Sequence, residues 1–287
     1  VPRFSIITTC KGRLHHLRQS LPSWLRQPDC EVIVVDPGCP DGTAAAVTRD
    51  FPQARVVAFD DGPYFNPSRA RNRGAAAATG AWLVFLDADI VLAADFVARL
   101  QPKLKPGMIF RFGPSKGRVS GTNGSCILQR ADFTAVGGYD EAMECYGGED
   151  NDLYFRLELL GIATEMLDLA LIDSVVPHDD AERVRFTRFG SKIRHQRLNS
   201  AYIYVKGTLL RQLGAHGLSE AQCRQLYGLI RDVVEQAGDD FEKPIHFTLD
   251  LPPDPGFMPM PAWDCIRHLT FDLRPRDLAR PAAEEES

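Results

Sequence analysis

The hydrophobic pattern of the first hundred residues alternates between two periods. Phe4–Thr8 is a short apolar run, and after the polar "CKGR" Leu14, Leu17, Leu21 and Leu25 recur at the spacing of one helix face. "EVIVVD" (31–36), "ARVVAF" (54–59) and "AWLVFLD" (81–87) are further apolar runs, largely without polar alternation, and such runs predict strands buried on both faces. Between them "PGCPDGT" reads as a turn, with Asp41 placed to cap the helix that follows, and "PSRARNRGAAAATG" (67–80) predicts a helix ending at Gly80. Strands alternating with helices imply right-handed crossovers and a largely parallel sheet, so the predicted fold class is α/β.

Beyond Asp89 the alternation loosens. "MIFRF" (108–112) and "SCILQ" (125–129) predict strands, and "RADFTAVGGYDEAM" a short helix running into a turn. "GEDNDLYFRLELLG" (148–161) predicts a helix with Leu153, Leu157 and Leu160 on one face. Amphipathic helices at 198–213 and 219–237 follow, then a proline-rich stretch (252–262) and the tail "AAEEES", both expected to be irregular. The basic stretch "RVRFTRFGSKIRHQR" (183–197) has three readings: a loop that bends at Gly190 to fold over a ligand, a solvated helix, or a surface attracted to anionic glycans or membrane-linked acceptors.

Composition narrows the function classes. With 33 basic against 38 acidic side chains, a net charge of −5 argues against a nucleic-acid-binding surface, so any bound phosphate has to be met locally by a metal or by backbone N–H groups. The seven cysteines are scattered, with no C-x-x-C pair, which disfavours a zinc cluster or a disulfide framework and suggests a reducing compartment. No run is long enough to span a bilayer, and "VPRFSIITT" lacks the pattern of a signal peptide. The expectation is a soluble cytoplasmic protein, with peripheral contact at the inner face of the membrane left open.

In open parallel sheets ligands bind beyond the carboxyl ends of the strands, which directs attention to Thr9–Arg13, Asp36, Asp60 and Asp61, and Asp87 and Asp89. Two anions ending a dry strand need a neutralising partner. A hard divalent cation, Mg²⁺ or Mn²⁺, takes oxygen ligands and shares them with substrate phosphates; the alternative is an acidic strand end facing solvent. Glu149 and Asp150, at the start of the 148–161 helix, suit either a capping role at the positive helix end or general-base catalysis.

The segments "FSIITTCKGR", "EVIVVDPGCPDGT", "PSRARNRGAAAATGAWLVFLDADI" and "GGYDEAMECYGGEDNDLYFRL" stand in the order found in family 2 glycosyltransferases and their GT-A relatives, and the chain resembles that family over about residues 3–180. The last segment looks like the acceptor motif of β-galactosyltransferases and of chondroitin-type and polypeptide N-acetylgalactosaminyl transferases. The resemblance implies a GT-A fold over 1–200, with a nucleotide-sugar half (1–105) and an acceptor half (106–200); the amphipathic helices and composition beyond it predict a helical extension and irregular tail (201–287). It implies that Thr9, Arg13, Asp36, Arg71, Asn72 and Asp87 border a UDP-sugar, with Asp36 on the uracil ring. Asp89, Asp87 and His178 would hold the cation, the imidazole favouring Mn²⁺ over Mg²⁺. Asp150 would be the base of an inverting transfer to a glycan or other hydroxyl acceptor, and Glu149 would contact the donor sugar. Tyr146, Gly147 and Gly148 would meet the acceptor, with Tyr146 where relatives carry tryptophan. A retaining transferase, a nucleotidyltransferase and a catalytically idle glycan-binding domain are the competing readings; the nucleotidyltransferase is disfavoured because "TTCKGRLHH" holds a single glycine.

Overall fold

A computed structural model describes residues 3–112, 122, 124–177, 180–189, 192–214, 216–238, 243–251 and 267–274. Its first half is the predicted alternation: β1 (Phe4–Thr9), α1 (Leu14–Leu25), β2 (Cys30–Asp36), α2 (Thr43–Asp50), β3 (Arg55–Ala58), α3 (Pro67–Ala77) and β4 (Trp82–Phe85). There follow β5 (Ile90–Leu92), α4 (Phe96–Leu100), β6 (Met108–Phe112), β7 (Cys126–Gln129), α5 (Arg130–Ala135), α6 (Glu149–Leu159), β8 (Ala163–Leu167) and β9 (Ile172–Val175). The C-terminal part holds α7 (Asp180–Val184), α8 (Lys192–Leu213), α9 (Glu220–Ala237), β10 (Ile245–Leu251) and β11 (Arg267–Leu273).

The central sheet has seven strands in the order β3-β2-β1-β4-β7-β6-β8. It is parallel except at β7, which runs antiparallel to both β4 and β6. Its inner strands are mostly apolar because both faces are covered there, whereas the edge strands β3 and β8 carry exposed residues. Ile6, Val34 and Val84 point into one core beside α1, while Ile7, Val35 and Phe85 point into a second beside α3 and α6. The chain leaves β1 towards β2 and β3 and then crosses back to β4 on the other side of β1. This reversal opens a crevice beyond the ends of β1 and β4, where Thr9 and Asp87 stand.

Four expectations are corrected. Asp41 does not cap α2, whose N-cap is Gly42; its carboxylate instead accepts from the N–H of Leu14, the first residue of α1. The strand read as 81–87 stops at Phe85, and residues 90–92 form a separate small sheet with β9. The helix expected at 198–213 begins at 192, so α8 takes in the end of the basic stretch, whose start lies in α7 and whose residues 185–189 belong to no helix. The extension is not wholly helical, because β10 and β11 pair as an antiparallel hairpin whose Ile245, Phe247 and Phe271 pack with α8 and α9 in a third core. Alternation as short as "IHFTLDL" is drowned by the proline-rich residues that follow it. Residues 252–262 and the acidic tail lie outside the described residues. No helix among the described residues is long and apolar enough to cross a membrane.

Candidate active site

A cleft of about 700 Å³ opens beyond the strand ends and is lined, among others, by Thr9, Arg13, Arg71, Asp87, Asp89, Tyr146, Gly147, Gly148, Glu149 and Asp150. Arg71 is its hub. The N-terminus of α3 is set by Asn66, whose side chain accepts from Arg69 N–H, followed by Pro67 at the first turn. One turn beyond Arg71, a Cβ on Gly74 would lie 2.4 Å from Ile7, so only glycine lets α3 sit this close to β1. Arg71 thus reaches the cleft floor from beneath, donating from Nη1 to Glu149 Oε1 at 2.7 Å and from Nη2 to Asp87 Oδ1 at 3.2 Å. Asp150 Oδ1 lies 3.3 Å from the same Nη1, and the Tyr139 ring lies beneath the guanidinium. Burial disfavours the Arg71 charge, and the surrounding anions outweigh it.

The sequence posed the question of what neutralises Asp87 and Asp89. Two arginines do so: Arg71 meets Asp87, and Arg13 Nη2 donates to Asp89 Oδ2 at 3.0 Å. Asp89 is only 2 % exposed, and its backbone carbonyl accepts from Val176 N–H, so the chain up to Pro177 runs beside it. His178 itself lies outside the described residues. Two hard carboxylates beyond one strand end, both lining the cleft, are a donor set that suits Mg²⁺ or Mn²⁺. Among the described residues His15, His16 and Glu182 also bring ligand atoms within 4.8 Å of one another. There His16 has both ring nitrogens engaged: Nδ1 accepts from Arg13 Nε at 3.3 Å, which leaves Nε2–H for the carbonyl of Pro177 at 3.2 Å.

Glu149 and Asp150 open α6. Gly147 and Gly148 hold φ of 86° and 94°, left-handed values that favour glycine and turn the chain so that both carboxylates enter the cleft at the helix start. Glu149 Oε2 is buried with no hydrogen-bond partner among the described residues. Burial and the negative charges of Glu149 and Asp87 push Asp150 well above the usual carboxylate range, against the pull of Arg71 and Arg111.

Two predicted site residues are not brought into the cleft. Asp36 is occupied by backbone: its oxygens accept from Cys39 N–H at 2.6 Å and Ala44 N–H at 2.7 Å, which caps α2 and closes the turn. Asn72 faces away from Arg71, donating to Tyr139 O and Glu141 Oε1 and accepting from Tyr139 N–H. It thereby holds the tyrosine on which Arg71 rests. Asp61 is likewise taken up in the α3 terminus, accepting from Asn66 N–H and pairing with Arg69.

Several lining residues escaped the sequence reading. Arg111 is a charge at an inward position of β6, a signal visible in "MIFRF". Glu182 reaches the cleft from α7, and Phe186 and Thr187 from the segment that follows it; a Cβ on Gly12 would lie 2.0 Å from the Phe186 ring. Within the basic stretch Arg185 lies over the Phe186 ring and Arg188 pairs with Glu144; Gly190 is outside the described residues. From α8 comes Asn199, whose Nδ2 donates to the carbonyls of Cys145, Tyr146 and Gly147 while its Oδ1 accepts from Tyr227 of α9.

Residues 5–110 match the sequence family described as glycosyl transferase family 2, and residues 115–178 match one described as the N-terminal domain of galactosyltransferase. No curated protein matches the chain. Among solved structures, the mannosyltransferase PcManGT of Pyrobaculum calidifontis, in complex with GDP-Man and Mn²⁺, is 17% identical; the match covers 83% of this chain and 76% of that one, with a TM-score of 0.54. Staphylococcus aureus TarS 1–349 in complex with UDP-GlcNAc is 14% identical over 82% of this chain and 73% of that one, with a TM-score of 0.53. Likeness at these identities is a likeness of fold.

Proposed function

This chain belongs to the GT-A glycosyltransferases of family 2 type, and from that premise we propose that it transfers a hexose or N-acetylhexosamine from a UDP-sugar to an acceptor hydroxyl. The transfer inverts the anomeric centre and uses a divalent cation, Mn²⁺ or Mg²⁺. The observation that carries the reading is the convergence of Asp87, Asp89, Arg71, Glu149 and Asp150, from separate elements, on one cleft at the sheet's switch point.

Asp89 and Asp87 are the proposed ligands of the cation, with His178 the third. When bound, the cation supplies positive charge to the departing nucleoside diphosphate. Arg13 and Arg71 hold these carboxylates and border the space that a diphosphate needs, and Thr9 stands beside them at the end of β1. Glu149 is fixed by Arg71 through one oxygen, which leaves the other to accept from a donor-sugar hydroxyl. Asp150 takes the proton of the acceptor hydroxyl as that oxygen forms its bond to the anomeric carbon and the bond to the diphosphate breaks. Its raised affinity for protons makes it a stronger base than an ordinary carboxylate. Tyr146, Gly147 and Gly148 form the wall against which the acceptor lies, held from behind by Asn199.

The test is incubation with a panel of UDP-sugars in Mn²⁺ or in chelator, with products followed by NMR. Donor consumption is expected with Mn²⁺ and is lost in chelator and in Asp89→Asn, and any transferred sugar carries the anomeric configuration opposite to that of the donor. Retention would remove Asp150 from its role, and metal-independent turnover would remove the cation.

A further inference from the structure

Within "MIFRF" the alternation of β6 sends Phe110 and Phe112 into one core, while Arg111 faces the other side with Ile109. A guanidinium therefore stands on an inner sheet face, where its strand partner is Cys126. Its Cζ lies over the Tyr154 ring at 3.9 Å from the centroid, and it lines the cleft together with Asp150. Arg71 and Arg13, the other cleft arginines, each hold a carboxylate within 3.2 Å. Arg111 does not: among the described residues it has no ion pair, and its Nε is buried without a hydrogen bond. A guanidinium held on a ring with its Nε–H buried and without an acceptor is unfavourable until a ligand brings an oxygen to it.

The position says which ligand. The charges proposed to meet the diphosphate follow β1 and β4, whereas β6 lies three strands from β1 and two from β4, roughly 14 and 10 Å at ordinary strand spacing. Arg111 stands instead with Asp150 of α6, on the side where the acceptor hydroxyl has to be. We propose that Arg111 is an anion subsite of the acceptor, so that the preferred acceptor carries an oxyanion, a carboxylate or a phosphate, close to the hydroxyl that is glycosylated. This rests on the transferase reading above. A planar guanidinium pre-ordered by a ring is suited to bidentate recognition of either oxyanion.

The test compares matched probes on the full chain saturated with UDP and Mn²⁺, by calorimetry or ligand-observed NMR: methyl β-glucuronide against methyl β-glucoside, and glycerol 3-phosphate against glycerol. At least a tenfold preference for the charged member of one pair is expected, and the pair that shows it identifies carboxylate or phosphate. Arg111→Gln is expected to erase the preference while changing UDP affinity less than twofold. Arg111→Lys, which keeps the charge but not the fork, retains part of the preference and decides the matter where the glutamine variant fails to fold. Equal binding within both pairs, or a preference untouched by either substitution, overturns the subsite alone. So does a tenfold loss of UDP affinity in the variants, which would assign Arg111 to the donor. Absence of any UDP binding with Mn²⁺ overturns the underlying reading, and the subsite with it.

Discussion

Asp150 shows how one side chain trades stability for chemistry. Its folded-state pKa lies above its unfolded value, chiefly through burial, so the folded protein keeps a proton that the unfolded chain has released. Between those two values stability falls as pH rises. Asparagine cannot ionise, so Asp150→Asn is expected to melt above the parent at pH 7 to 8, the two converging below about pH 4, where the carboxyl is protonated in both states. The same variant is expected to lose transfer by at least about a hundredfold with UDP affinity unchanged, since only proton removal is lost. In the parent, kcat/KM is expected to fall on acidification through that same raised pKa. A variant with lower Tm at neutral pH and full activity would contradict both expectations. Position after a strand or at a helix start singles out Asp87, Asp89, Glu149 and Asp150, and all four line one cleft. Asp36 satisfied the same positional rule, yet its oxygens are spent on Cys39 and Ala44 N–H groups.

Between elements, the contact that matters most for the site is that of α6 with α8. Lys206 of α8 donates from Nζ to Asp140 and Asp152 at 2.6 Å each, and Asp152 is also held by Arg156 of its own helix. Buried charges with this many partners fix a docking geometry more than they add net stability. Seven residues earlier on α8, Asn199 ties down the carbonyls of 145–147, the loop that carries the acceptor wall. Asn199→Ala is expected to cost about 1–3 kcal/mol, because it leaves buried carbonyls without a donor. It is also expected to raise the acceptor KM while leaving UDP affinity as it was; denaturant melts and steady-state kinetics read the two effects. An equal loss of donor affinity would mean that α8 supports the whole cleft rather than its acceptor wall. The amphipathic pattern revealed α8 and α9, but not that they reach back to the catalytic loop.

For the molecule as a whole, the seven-stranded sheet serves to bring acidic strand ends and a helix start to one edge. A ligand that binds only the folded state stabilises it by mass action. UDP with Mn²⁺, at a hundred times its dissociation constant, is therefore expected to add about 2.7 kcal/mol and a matching rise in Tm. Chelator or Asp89→Asn is expected to abolish most of that rise. Stabilisation by UDP alone, unaltered by chelator, would show that Arg13 and Arg71 suffice for the diphosphate without a cation.

The linear pattern determined the order of strands and helices over the first 85 residues, the α/β class and the carboxylates at the strand ends, because period and turn chemistry act over a few neighbours, and a parallel sheet sends its strand ends to one edge. What only the tertiary structure decided is the partner of each charge. Arg13 finds Asp89 across 76 positions, Arg71 finds Glu149 across 78, and Asn199 reaches Gly147 across 52. Such pairings depend on how closely α3 seats on β1 and where α8 docks on α6, and packing distances of that kind leave no periodic trace in the chain.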